Sequence, residues 1–338
     1  MLGAMTVMEK TRLLSFLEER SQEDWLRALA EIGPAIHPVD REATRIWFAF
    51  WPLELHDALA GSPDPPDPPD PKQVARLMDL EGNWRLEEQI DSSVNFLYGA
   101  HFWARVKNAV VAEAEATTDS LAATIRSIAQ KAASPERVDP SLVLGITAVG
   151  LMTLRQVGLE RFERSKDTRA ASPLLPQDPA KVLARRERKS ADGLFTFLKG
   201  VNRKWDVRWE EKRTDGVFRA INGQDIAMAG GDTGADYRHL DYRRPAGPVP
   251  VECRVGSCGY CWIGLLAGRE NLTPMTSFER ERLRYFGYDA VNGLEDTHPL
   301  IRLACQSQCQ GDVTLTISPW NGELDRRHDE ARKKLGTA

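Results

Sequence analysis

Cysteine is missing from the first 252 residues of this 338-residue chain, and all five copies fall between 253 and 309. A disulfide scaffold spreads its cysteines over the fold it staples, so this distribution argues against one. In a chain expected in the cytoplasm, a late cluster is instead the pattern of a metal site. The cytoplasmic expectation rests on a second lack: "MLGAMTVMEKTRLLSFLEER" has neither the charged-then-apolar order nor the cleavage site of a secretory signal. Long apolar runs are missing too. The longest, "SLVLGITAVGLMTL" at 141–154, is short for a bilayer and reads as a buried helix, so no transmembrane segment is expected. Excess charge of one sign is also absent. The 45 Lys and Arg face 49 Asp and Glu, a net −4 that gives no general drive toward nucleic acid, and no nucleic-acid partner is expected.

Catalytic signatures are equally scarce. No nucleophile has a recognisable base partner, and neither a nucleotide fingerprint nor a flavin motif is present, so an enzyme acting on a substrate is not expected. "GGDTG" at 230–234 lacks the Lys-Ser/Thr ending of a phosphate loop and reads as a turn. The six histidines are scattered without metal-ligand spacing, and His101 in "NFLYGAHFW" has no second axial ligand or C-x-x-C-H motif to make it a haem ligand.

What is present falls into two textures. "SQEDWLRALAEIG" opens on a capping box, Ser21 with Asp24, and stops at Gly33-Pro34. "DREATRIWFAFW" at 40–51 is a second helix, whose Trp47, Phe48, Phe50 and Trp51 read as core. "GSPDPPDPPDP" at 61–71 denies the backbone its donors and reads as an extended connector. Helical spacing resumes at Val94, Leu97, Tyr98, Phe102, Val106 and Ala109 and continues through "SLAATIRSIAQKAAS" and "PSLVLGITAVGLMTLRQVGLERF". Residues 1–165 are therefore expected as an all-helical domain with a Pro-rich insertion. Residues 166–191, with prolines and serines, are expected as a linker, whose basic run Arg185, Arg186, Arg188 and Lys189 reads as a solvated linker helix. Beyond it "WDVRWEE", "GVFRAING" and "DVTLTI" read as strands, with "RTDG" as a hairpin turn. Residues 321–338 are a polar tail.

The cysteines lie in "VECRVGSCGYCWIGLLAG" as Cys253, Cys258 and Cys261, spaced C-x4-C-x2-C, with Cys305 and Cys309 in "LIRLACQSQCQGDVTLTI". Two irons bridged by two sulfides require four outer ligands, and thiolate is the soft donor they prefer. Three ligands on one tight loop let the chain wrap such a cluster. Gly256 and Gly259 permit positive φ, turning successive N–H groups inward, and a remote fourth ligand fastens the loop to the sheet. Zinc is the competing occupant. It usually takes two Cys-x2-Cys knuckles, whereas this chain offers one x2 pair, an x4 neighbour and a fourth Cys 44 residues away.

In Cys253, Cys258, Cys261 and Cys305, with Gly256, Gly259, "ENLTPMT" and "RLACQ", the region about 195–320 resembles the plant-type 2Fe-2S ferredoxins. The resemblance implies a β-grasp domain over 192–320, making the chain α+β and multidomain: an all-α N-terminal domain followed by a β-grasp 2Fe-2S ferredoxin-like domain. It implies a 2Fe-2S cluster on those four cysteines, two per iron, and leaves Cys309 a bystander. One-electron transfer follows, as a subunit or carrier serving a redox partner such as a hydrogenase, oxygenase, reductase or respiratory component. The alternative is a redox-responsive regulatory or interaction protein whose cluster is a sensor or structural element. The chain departs from the family in the Gly-rich "QDIAMAGGDTGADYRHLDYRRPAGPVPVEC" and in "RYFGYDAVNGLEDTHPLI". Residues 191–320 also hold 16 Lys and Arg against 17 Asp and Glu, so the strongly acidic face common in the family is not expected.

Overall fold

The structure, a computed structural model, describes residues 11–51, 53, 96–113, 120–164, 178–187, 203–211, 215–239, 244–285, 288 and 296–317. The Pro-rich connector at 61–71, Arg188, Lys189 and the tail lie outside these residues.

The helical region begins with α1 (Arg12–Glu18), α2 (Gln22–Ile32) and α3 (Pro38–Phe50). The capping box of α2 forms: Ser21 Oγ accepts from Asp24 N while Asp24 reaches back to Ser21 N at 3.0 Å. His37 caps α3, with Pro38 as its first residue. A 3₁₀ turn over Tyr98–Phe102 precedes α4 (Trp103–Ala112), followed by α5 (Leu121–Ala133), α6 (Pro140–Val157) and α7 (Leu159–Arg164). Asp139 and Pro140 start α6, and Gly158 at φ 78° separates it from α7. In length and composition α6 could cross a membrane, but its side chains are buried among α1, α3, α4, α5 and α7, where a central bundle helix belongs. Trp47, Phe48, Phe50 and Trp51 are buried beside it, as expected of core residues.

Five strands, β1 (Lys204–Glu210), β2 (Asp215–Ile221), β3 (Trp262–Ala267), β4 (Ile301–Leu303) and β5 (Val313–Ile317), form one mixed sheet in the order β2-β1-β5-β3-β4. β1 and β2 are an antiparallel hairpin, β1 and β5 run parallel, and β3 pairs antiparallel with both β5 and β4. The chain is thus of mixed α+β class. The Gly-rich segment after β2 contains a short helix, α9 (Ile226–Gly231), capped by Asp225 and packed on β2, with "GGDTG" as its end and turn. A further helix, α10 (Ser277–Tyr285), lies between β3 and β4.

Every residue of β5, and all but the last of β3, is buried, so both faces of the sheet are covered there. Helix α3 supplies part of that cover. A Cβ at Gly264 would come 2.5 Å from Ile46 Cγ2, so glycine lets α3 approach the strand closely. One hydrophobic core consequently runs from the helices into the sheet.

Between these regions the expected linker contains α8 (Pro179–Arg186), and its basic run is not uniformly solvated. Arg186 is buried. Its Nε donates to Glu210 on β1 at 3.0 Å, one Nη donates to the Val39 carbonyl of α3, and the other donates to the Phe96 carbonyl at 2.7 Å. Its own carbonyl accepts from Thr314 of β5 at 2.9 Å. A buried guanidinium needs an opposite charge and filled donors, and this one has both. Arg185 pairs with Asp215. The basic texture that suggests a solvated face is, at Arg186, an internal joint.

Candidate metal centre

The loop 251–261 runs into β3, and the β3–β4 ladder brings its last cysteine beside the fourth. Trp262 stands opposite Leu303, and Ala304 N donates to the Cys261 carbonyl at 2.9 Å, so Cys261 and Cys305 arrive side by side. Both are buried, whereas Cys253 and Cys258 on the outer part of the loop are half-buried. None of the five cysteines forms a disulfide.

The thiols gather as two pairs. Cys253 and Cys258 interact with each other, as do Cys261 and Cys305, while Cys258 also acts on Cys261 and Cys253 on Cys305. Among the described residues no group of three or more His, Cys, Asp or Glu side chains is close enough to hold a metal ion.

The backbone turns toward the sulfurs. Gly256 and Gly259 adopt φ 81° and 67°, as their place in the motif predicts, and Arg254 joins them at φ 59°. Nothing in the sequence marks Arg254 for this. Positive φ is uncommon for a side-chain-bearing residue, and here it lies within the ligand loop. Cys258 N lies 3.4 Å from Cys253 Sγ, and the Val255 amide also serves Cys253. The Tyr260 amide serves Cys258, and the Gly256 amide serves Cys305.

These contacts divide the thiol acidities. Burial pushes Cys253 upward, but hydrogen bonds from Ser257, Cys258 and Val255 outweigh it and bring the thiol to about 6. Burial, with Cys253 adjacent, raises Cys258 to about 12. In the inner pair, hydrogen bonding to Cys261 lowers Cys305, and the same contact together with burial raises Cys261. In each pair one thiol is thus more acidic than its neighbour, and a bound cation would displace the protons that remain.

Cys309 stands apart. It is fully buried, its Sγ donates to the Gly311 carbonyl at 3.0 Å, and burial pushes it up to about 12. Its backbone bridges to Leu272 on the far side of the turn from Cys305. His101 is exposed and stacked on Tyr98, with ring centroids 5.8 Å apart.

The loop has a neighbour that the motif does not reveal, the partly exposed Phe278. Phe278 of α10 lies beside Gly256, where an added Cβ would sit 2.7 Å from its ring, and Gln306 closes on the same point. Arg282 donates to the Ser257 carbonyl. Glu279 is buried against Arg302 of β4. The alternation "FERER" looks like an exposed helix, and only the β4 neighbour explains why Glu279 turns inward.

No family model matches the chain, and no curated protein or solved structure gives a significant match.

Proposed function

We propose that the chain carries single electrons through a 2Fe-2S cluster held by Cys253 and Cys258 on the outer side and Cys261 and Cys305 on the inner side. The observation that carries this reading is that the four thiols fall into two interacting pairs, Cys253 with Cys258 and Cys261 with Cys305, beside a loop whose amides turn toward sulfur. A two-iron cluster takes two thiolates per iron, while a structural zinc ion takes four donors around one point. The residues therefore fit the group. When bound, the cluster would accept one electron from a donor and return it to an acceptor. The chain's part is to supply four thiolates, to direct N–H groups at sulfur, and to leave the outer pair nearer to water and a partner.

The sheet order β2-β1-β5-β3-β4, with parallel β1 and β5 and a short helix after β2, supports a β-grasp, ferredoxin-like reading of this region. On this account the chain is a carrier or a non-catalytic subunit, and its partner is a redox protein of hydrogenase, oxygenase or reductase type. Anaerobic titration with dithionite should bleach visible absorbance after one electron per chain, and air should restore it. Uptake of two electrons, or irreversible bleaching, counts against a carrier.

One observation favours the second reading, a redox-responsive regulator. Ile46 of the helical region packs on Gly264, three residues from Cys261, so a change at the inner pair has a short mechanical route to the helices. Proteolysis patterns of α3 that differ between oxidised and reduced protein would favour that reading. Identical patterns favour the carrier.

A further inference from the structure

Helix α10 is held on the sheet by a buried ion pair, alongside Leu283, which the helix buries in the core. Glu279 and Arg302 have fully buried side chains, joined at 2.9 and 3.0 Å. Glu279 Oε1 also accepts from Leu303 N at 2.7 Å, and Arg302 donates to the Thr273 carbonyl at 2.9 Å. The pair therefore ties α10, the segment before it, and the strand leading to Cys305. On either side of Glu279 along the helix, Phe278 rests at Gly256 and Arg282 holds Ser257. Gly256 and Ser257 lie between Cys253 and Cys258, the half-buried pair.

We propose that Glu279 and Arg302 are positioning residues for the outer half of the site, holding Phe278 over the loop and so limiting the water that reaches Cys253 and Cys258. The pair touches no thiol in this role and acts through the helix. Burying two charges costs several kcal/mol before their attraction is counted, so such a pair adds little stability over an apolar filling; its geometric work is to fix the helix in one place. The inference rests on the cluster reading for its electrochemical consequence. Solvent exposure is one of the levers on cluster potential, because water stabilises the reduced state, which carries one more negative charge.

The test uses the full chain with Glu279→Gln and Arg302→Gln combined, which removes the pair without changing net charge. Phe278→Ala is made alone and on top of that double variant. The double variant should raise the reduction potential, Phe278→Ala should raise it too, and the triple variant should go no further than the larger of the two shifts. Amide exchange at residues 255–258 should be about tenfold faster in the double variant, with or without a cluster. A double variant with unchanged potential and loop protection, but a lower unfolding midpoint, would reduce the pair to a structural role and overturn the proposal. Additive shifts in the triple variant would do the same. Should the double variant not fold, Glu279→Asp keeps the charge and shortens the reach, and a smaller rise is expected; no rise overturns the proposal. Colourless wild-type protein would sink the cluster reading, while the exchange comparison still decides whether the pair holds the loop.

Discussion

Cys305 and Cys309 stand four residues apart, yet their surroundings differ in kind. Cys305 meets Cys261 across the β3–β4 ladder, whereas Cys309 is sealed behind the next turn with its thiol on a carbonyl. Cys305→Ser should therefore lose most of the bound iron. Cys309→Ser should keep the visible spectrum and cost about 1–3 kcal/mol in unfolding free energy, since serine can still donate to Gly311 but buries a more polar atom. The reverse pattern, in iron content and absorbance, would transfer the ligand role to Cys309. Gly256→Ala tests the loop itself. It places a Cβ at φ 81° and against the Phe278 ring, so cluster retention should drop sharply; wild-type iron content in that variant would mean the loop backbone is not as described.

At the scale of elements, the buried pair Arg186–Glu210 is the charged part of the joint between helices and sheet. Arg186→Gln leaves Glu210 buried without its partner and should lower the unfolding free energy by about 3–5 kcal/mol in denaturant titrations. A loss under about 1 kcal/mol would show that the joint rests on apolar contact alone. Asp40 accepts hydrogen bonds from the Tyr98 and Gly99 amides at 2.6 Å each, and burial, against Arg186 and those amides, holds it up to about 6 from 3.8. The folded chain then binds a proton more tightly than the unfolded chain between those values. Stability relative to Asp40→Asn should fall as pH rises from about 4 to 6 and level off above. Unfolding midpoints of the two proteins that differ by a constant amount from pH 4 to 7 would contradict this. The helices of the first 165 residues, the β1–β2 hairpin and β5 were legible because capping residues and periodicity are local signals. β3 and β4 were not. "WIGLLA" follows the third cysteine as an apolar run without alternation, because both faces of that strand are covered, and "IRL" is only three residues long. Arg186 was misleading for a related reason: a charged residue in a charged run looks exposed until the distant partner, Glu210, is placed.

At the scale of the molecule, composition suggested two bodies joined by a linker, while packing gives one core running between them. Composition reports the texture of each segment and says little about whether their apolar surfaces meet. Cleavage within 166–177 or 188–200 should therefore leave both fragments together on gel filtration, with separation only in denaturant. A freely released, coloured C-terminal fragment would show that the Ile46–Gly264 contact and the Arg186 joint do not hold the regions together. The central claim concerns what the four thiols bind, and metal and sulfide analysis with paramagnetic resonance measures it most directly. Protein purified without oxygen should contain about two irons and two acid-labile sulfides per chain and, once reduced, show the signal of a single unpaired spin. A colourless protein with stoichiometric zinc, no sulfide and no signal would contradict the account.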